Sequence, residues 1–195
     1  CSTSEIYGDP KRKFIDETTK INPNNPYAVS KTFQDLVSNV YFRCFNLKII
    51  ITRMFTYFNS RRRNLFASHW AKQIVEIEKG KRKYLKHGNL NTFRSIIDIR
   101  DAMEAYWCAA KYGKIGEAYN IGGGKNIKLS KFLNLLKKNS KVKIISKLDS
   151  KLLRKTDIAI QTPSSKKFRK DTNWRPIISF KKSLEFFLNE NRDKF

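Results

Sequence analysis

Apolar positions recur along this chain with two periods, and the points where one gives way to the other outline its elements. Over residues 27–45, Val29, Phe33, Leu36, Val37, Val40, Tyr41 and Cys44 return at helical spacing, behind Pro26, which suits a first helical turn. Residues 47–55 read LKIIITRMF, the near-continuous β-branched run of a strand buried on both faces of a parallel sheet. The polar opening, Ser-Thr-Ser-Glu, reads as an extended strand end. Strand, helix and strand in that order predict a right-handed crossover at the end of a doubly wound α/β domain.

The later segments repeat the alternation. Helices are predicted over 66–78 (Phe66, Trp70, Ile74 and Ile77 inward), 101–112 (Met103, Tyr106, Trp107 and Ala110 on one face), 131–138 with Ser130 as N-cap, 164–171 and 180–191. Strands are predicted over 84–87, 93–99, 117–121 and 142–148, and a charged break around Gly80 covers 79–83. No internal repeat or linker-like shift in composition appears. The chain therefore reads as residues 1–60, the end of the doubly wound domain, and residues 61–195, a smaller lobe interleaved with it.

Charge changes the picture less than its size suggests. The formal net charge is +24, from 41 Lys and Arg against 17 Asp and Glu. On its own this points to a polyanion partner. Yet the lysines are spread through nearly every segment, which fits a solvated basic surface, with help in attracting an anionic substrate and incidental nucleic-acid binding as the other readings. Cys1, Cys44 and Cys108 lack metal-ligand spacing and read as unpaired thiols of a reducing compartment. With His69 and His87 apart, no metal site is expected. No segment is long and apolar enough to span a bilayer, so a cytoplasmic location is expected.

The chemistry concentrates in the first thirty-one residues. Tyr27 and Lys31, four apart, leave one face of a helix, and Thr3 and Glu5, two apart on an extended strand, point the same way with Ser4 opposite. Tyrosine ionises near pH 10, about three units too high for a base at neutral pH, and a neighbouring cation favours its phenolate. An alcohol, a carboxylate, a phenol and an amine are thus expected to converge.

With Ser-Thr-Ser-Glu-x-Tyr-Gly ahead of Asn-Pro-Tyr-Ala-Val-Ser-Lys, the chain resembles the extended short-chain dehydrogenases/reductases of the nucleotide-sugar epimerase and dehydratase type. The GDP-mannose 4,6-dehydratase group is the nearest, along essentially the whole length. The resemblance implies the C-terminal part of a Rossmann-type sheet plus an α/β substrate-binding lobe. It also implies a fragment, because the family's glycine-rich cofactor loop lies upstream of the Thr-x-Glu strand. Thr3, Glu5, Tyr27 and Lys31 become the catalytic residues, with Tyr27 and Lys31 also contacting NADP, or NAD. A GDP-linked sugar, mannose or a mannoheptose, becomes the substrate, and a homo-oligomer paired through the Tyr27 helix the assembly.

The same resemblance assigns substrate contacts to Arg61 and Arg62, Asn89 in His-Gly-Asn-Leu, Arg94 after it, and Arg154 in Arg-Lys-Thr-Asp. Arginine clusters suit diphosphate through bidentate hydrogen bonds. Thr56, Ser60, Arg63 and Ser95 depart from the family's usual Asn, Pro, Gly and Asp. Gly122-Gly-Gly124 lacks the third glycine of a dinucleotide loop and reads as a plain strand-to-helix turn. Trp174 and Phe187 read as core. The alternatives are a GDP-4-keto-6-deoxymannose reductase or an epimerase of the same superfamily, and, from another class, a basic nucleic-acid-binding or inactive scaffold fragment. Glu5 separates the dehydratase from the reductase, which needs no base for C5.

Overall fold

A computed structural model describes residues 1–12, 14–62, 65–123, 126–153 and 158–195. In chain order the elements are β1 (Ser2–Thr3), a 3-10 turn (Ser4–Tyr7), α1 (Pro26–Phe45), β2 (Ile51–Met54), β3 (Thr56–Phe58) and α2 (Phe66–Glu78). There follow β4 (Leu85–His87), β5 (Phe93–Asp98), α3 (Ile99–Tyr112), β6 (Ala118–Ile121), β7 (Asn126–Lys128) and α4 (Leu129–Lys138). The chain ends with β8 (Ser146–Leu148), a second 3-10 turn (Ser150–Leu152), β9 (Ile160–Gln161), α5 (Lys166–Thr172) and α6 (Phe180–Arg192). Two compact units result. The first comprises Cys1–Tyr57, Arg94–Asn126 and Ile158–Ile177, and the second Phe58–Phe93, Ile127–Asp157 and Ile178–Phe195.

The first unit is built on a parallel sheet of order β1–β2–β6. Every residue of the central strand β2 is buried, as a strand covered on both faces requires. The register sets Ser2, Arg53 and Asn120 level across the three strands. Parallel neighbours need a helical crossover, and α1 supplies it between β1 and β2. Met54, Tyr119, Ile121, Phe168 and Trp174 form the core together with the alanines of α3 at positions 102, 105 and 109. Those small residues are the buried face of α3, so Met103 and Trp107 lie on its outer side, Trp107 at 64% exposure.

Four local expectations are corrected. The run over 47–55 is a strand only at Ile51–Met54, because Leu47 and Lys48 are exposed and form no ladder. The run over 142–148 is likewise strand only at Ser146–Leu148. Ser130 lies inside α4 rather than at its cap: Lys128 is the cap and makes no side-chain bond. The carbonyls of Thr92 and Leu90 accept from the amides of Leu129 and Ser130 instead, so backbone replaces the capping hydroxyl. Finally, Ser-Thr-Ser-Glu is not extended throughout. It turns into a 3-10 helix at Ser4, which the Thr3 hydroxyl caps by accepting from the amide of Glu5 at 3.4 Å.

The second unit packs Phe58, Phe66, Trp70, Phe132, Phe180 and Phe187 as one aromatic cluster, with Phe58 and Phe187 rings 5.0 Å apart. Its three chain segments are tied by Glu78, which accepts from Arg192 at 2.7 and 2.9 Å, from the Lys141 amide at 2.9 Å and from Ser140 at 3.1 Å. Burial alone would raise the Glu78 carboxyl, but the Arg192, Lys141 and Ser140 bonds outweigh it and bring it down to about 2 from 4.5. A folded value below the unfolded one means the stabilisation is complete above pH 4.5 and fades as pH falls towards 2. Glu78→Gln should therefore destabilise the fold by roughly 1–3 kcal/mol at pH 7. Its melting temperature should also fall less steeply than the wild type's below pH 4.5, in thermal melts across that range; parallel curves would show that Glu78 contributes nothing to acid sensitivity.

Candidate active site

The first unit brings the Glu5 carboxylate to the start of the helix that carries Tyr27 and Lys31. Asn25 caps α1, its side-chain oxygen accepting from the Ala28 amide at 2.8 Å, and Pro26 occupies the first helical position. The same Asn25 amide group donates to Glu5 Oε2 at 3.0 Å. One asparagine thus starts the helix that carries Tyr27 and Lys31 and holds the Glu5 carboxylate beside that start. A second tie comes from Lys31, whose ammonium donates to the carbonyl of Cys1 and to Gln34. Thr3 is buried, Glu5 and Lys31 are half-buried, and Tyr27 is exposed on the first turn of α1.

Below these groups lies a polar network that periodicity does not reveal. Arg53, in the middle of β2, grips Asp35 of α1 bidentately, both bonds at 2.9 Å. Its remaining nitrogen donates to the phenol oxygen of Tyr7 at 3.0 Å and to the Glu17 carbonyl at 3.4 Å. Tyr7 in turn donates to Asn120 Oδ1 at 2.8 Å. Asn120 donates its side-chain amide to the Ile15 carbonyl at 3.1 Å and its backbone amide to Glu17 Oε1 at 2.7 Å. Burial pushes the Tyr7 phenol up despite the opposing pull of Arg53, so it stays neutral and keeps its proton on the bond to Asn120. For Arg53, burial lowers and the Asp35 hydrogen bond raises; with the charges of Tyr7 and Asp35 the net shift is upward. Gly8 ends the turn at φ +60°, where a Cβ would stand 2.1 Å from the Asn22 carbonyl oxygen.

The expected substrate-binding residues lie on separate elements. Arg61 and Arg62 are exposed on a turn closed by Asn59, whose side chain accepts from the Arg61 amide at 2.8 Å. Asn89 accepts from the Asn91 amide at 2.9 Å. Arg94, on β5, donates to the Ile158 carbonyl at 2.8 Å. Arg154 lies outside the described residues. Ser95, where an aspartate was expected, is buried and donates to the Gly123 carbonyl at 2.6 Å. Gly122 packs against Pro163 and Phe55 and Gly123 against Ile97, so this glycine pair serves close packing rather than a phosphate cradle. Among the described residues no group of acidic, histidine and cysteine side chains could hold a metal, and no helix is long and apolar enough to cross a membrane.

Asp35 and Arg53 were missed, although each left a trace. Asp35 falls one turn beyond Lys31 on the same stripe, and Arg53 is the one charged residue inside the apolar strand run after Lys48. Charge in either place asks for a partner, because a buried ion is costly unless paired.

Comparison with known proteins agrees with this architecture. GDP-6-deoxy-D-mannose reductase of Pseudomonas aeruginosa is 24% identical over 193 residues, covering 97% of this chain and 64% of the relative. Human dTDP-D-glucose 4,6-dehydratase is 27% identical over 199 residues, covering 100% and 56%. The chain therefore spans less than two thirds of the length of these curated relatives. Among solved structures, RMD from Pseudomonas aeruginosa complexed with NADPH superposes with a TM-score of 0.92 at 23% identity, covering 100% of this chain and 66% of that one. UDP-glucuronic acid 4-epimerase from Bacillus cereus, in complex with UDP-glucuronic acid and NAD, gives 0.89 at 24% identity, with 100% and 60% covered. The fold is that of the Rossmann-type dehydratases and epimerases. Residues 1–186 match the family described as GDP-mannose 4,6 dehydratase, and with the match spanning nearly the whole chain, the protein belongs to that family of nucleotide-sugar dehydratases, epimerases and reductases.

Proposed function

We propose that this chain carries the catalytic half of a nucleotide-sugar 4,6-dehydratase acting on GDP-mannose or a GDP-mannoheptose. The observation that carries the reading is the Asn25 bridge, which ties the Glu5 carboxylate to the helix of Tyr27 and Lys31. Thr3 orients the 4-oxygen of the hexose, and Tyr27 removes the proton of the 4-hydroxyl, with Lys31 as the cation of the same helix face. The ketone then acidifies C5. Glu5 abstracts the C5 proton and water leaves C6. Asn25 occupies Oε2 of that carboxylate, which supports Oε1 as the oxygen that meets the proton.

The residues present suit the ribose end of a nicotinamide cofactor, NADP with NAD as the other choice, since a phenol and an ammonium offer hydrogen bonds to its hydroxyls. Tyr27 and Lys31 would hold that cofactor, which would supply the hydride exchange for the sugar's internal redox change. Arg61, Arg62, Asn89, Arg94 and Arg154 are proposed to contact the nucleotide portion. The reductase is the second reading, favoured by the Pseudomonas aeruginosa relative. In our reading residues 1–60 belong to the cofactor domain and 61–195 mainly to the nucleotide-sugar lobe. The assembly is proposed to be a homo-oligomer joined along α1, where Val29, Phe33, Leu36, Val40, Tyr41 and Phe45 are exposed, Phe33 at 71%.

Incubation of the full-length protein with GDP-mannose and catalytic NADP should give a keto sugar without net formation of NADPH. Product that requires stoichiometric NADPH would point to the reductase. Glu5→Gln should lower the dehydration rate at least about a hundredfold, in line with loss of a general base, and a wild-type rate would remove Glu5 from its role. In sedimentation velocity, Phe33→Glu combined with Val40→Glu should convert an oligomer to a monomer; an unchanged mass would show that the assembly is not joined along α1.

A further inference from the structure

We propose that Arg53 is the positioning residue of this site, a single guanidinium that sets the Thr3–Glu5 segment and the Tyr27–Lys31 helix against each other. This inference rests on the dehydratase reading for its kinetic consequence but on geometry for its substance. The fork of Arg53 closes on Asp35, which follows Tyr27 by two helical turns and Lys31 by one, on the same stripe of α1. Its third nitrogen reaches Tyr7, the last residue of the 3-10 turn that contains Glu5 and is capped by Thr3. Asp35 is 3% exposed and is, with Ala28, one of two buried residues of the helix. Each catalytic pair therefore has its own handle, and one side chain holds both.

Stability alone does not account for such a residue. β2 is otherwise apolar or β-branched, and an aliphatic residue at position 53 would fill a buried strand without the desolvation that a charged pair incurs. A planar fork on a carboxylate adds direction, which apolar packing lacks: two parallel bonds fix the rotation of α1 about its axis and its position along it. The level alignment of Ser2, Arg53 and Asn120 sets Arg53 across from the residue before Thr3. Asn120 Oδ1 accepts the Tyr7 hydroxyl's hydrogen bond, so the phenol oxygen is left to accept from Arg53. Catalytic groups displaced by about 1 Å lose about a hundredfold in rate, so a tether of this kind acts on turnover more than on binding.

Three variants of the full-length protein test this: Arg53→Lys, Asp35→Asn, and the double variant Asp35→Leu/Arg53→Met, which removes both charges and so leaves neither stranded. In all three, kcat should fall at least about tenfold while KM stays within about threefold. The double variant should melt close to the wild type and still not recover kcat. Independently of any reaction, hydrogen exchange of Arg53→Lys should accelerate at Ser2–Tyr7 and over the first half of α1, with α3 unchanged. Wild-type kcat in the double variant, or exchange that rises equally in α3, would overturn the proposal. If the wild type makes no keto sugar, the dehydratase reading fails, and the exchange pattern alone decides whether Arg53 links the two segments.

Discussion

The guanidinium of Arg53 is the point on which the first unit turns. A parallel sheet buries its central strand on both faces, and this chain places a permanent charge in the middle of that strand. Such a charge is tolerated only when it is paired and hydrogen-bonded, and here Asp35, Tyr7 and the Glu17 carbonyl accept four bonds from it. The partners come from three different segments, so satisfying one side chain organises the turn after β1, the loop before α1 and the helix itself. Removing one member of a buried pair of this kind costs about 3–5 kcal/mol, a large share of the stability of a domain.

Above that network the site is assembled from short-range devices. A 3-10 turn capped by Thr3 brings Glu5 round, Gly8 lets the chain leave it, and Asn25 starts α1 while holding the carboxylate. None of these devices would position a functional group alone. Acting on a frame set by Arg53, they bring an alcohol and a carboxylate to the beginning of a helix that presents a phenol and an ammonium. On the proposed reading, those groups remove a proton from a sugar hydroxyl and then one from the adjacent carbon.

The fold was legible wherever apolar periodicity was strong. The helix predicted over 66–78 is observed as Phe66–Glu78, and the alternation of strands and helices led directly to a parallel α/β sheet. Legibility failed where polar groups do structural work. Thr3 to Glu5 looked like a simple strand because alternation cannot show that a threonine hydroxyl will cap a turn. Ser130 looked like a cap because a sequence does not show that the Leu90 and Thr92 carbonyls stand above the helix end. In α3 the large side chains of Met103 and Trp107 drew attention, while close packing favoured the alanine face. Asp35 and Arg53 escaped notice because a charge within an apolar pattern is read as solvated until a partner from elsewhere in the chain is seen.

The proposed function requires Thr3, Glu5, Tyr27 and Lys31 to work on a single hexose. The most direct measurement follows isotopes through one turnover of the full-length protein: GDP-mannose carrying deuterium at C4, converted in ordinary water, and unlabelled GDP-mannose converted in deuterium oxide. The C4 label should appear at C6 of the product, and one solvent deuterium should enter at C5. Loss of the C4 label to solvent, or its retention at C4 with no exchange at C5, would contradict the proposed function.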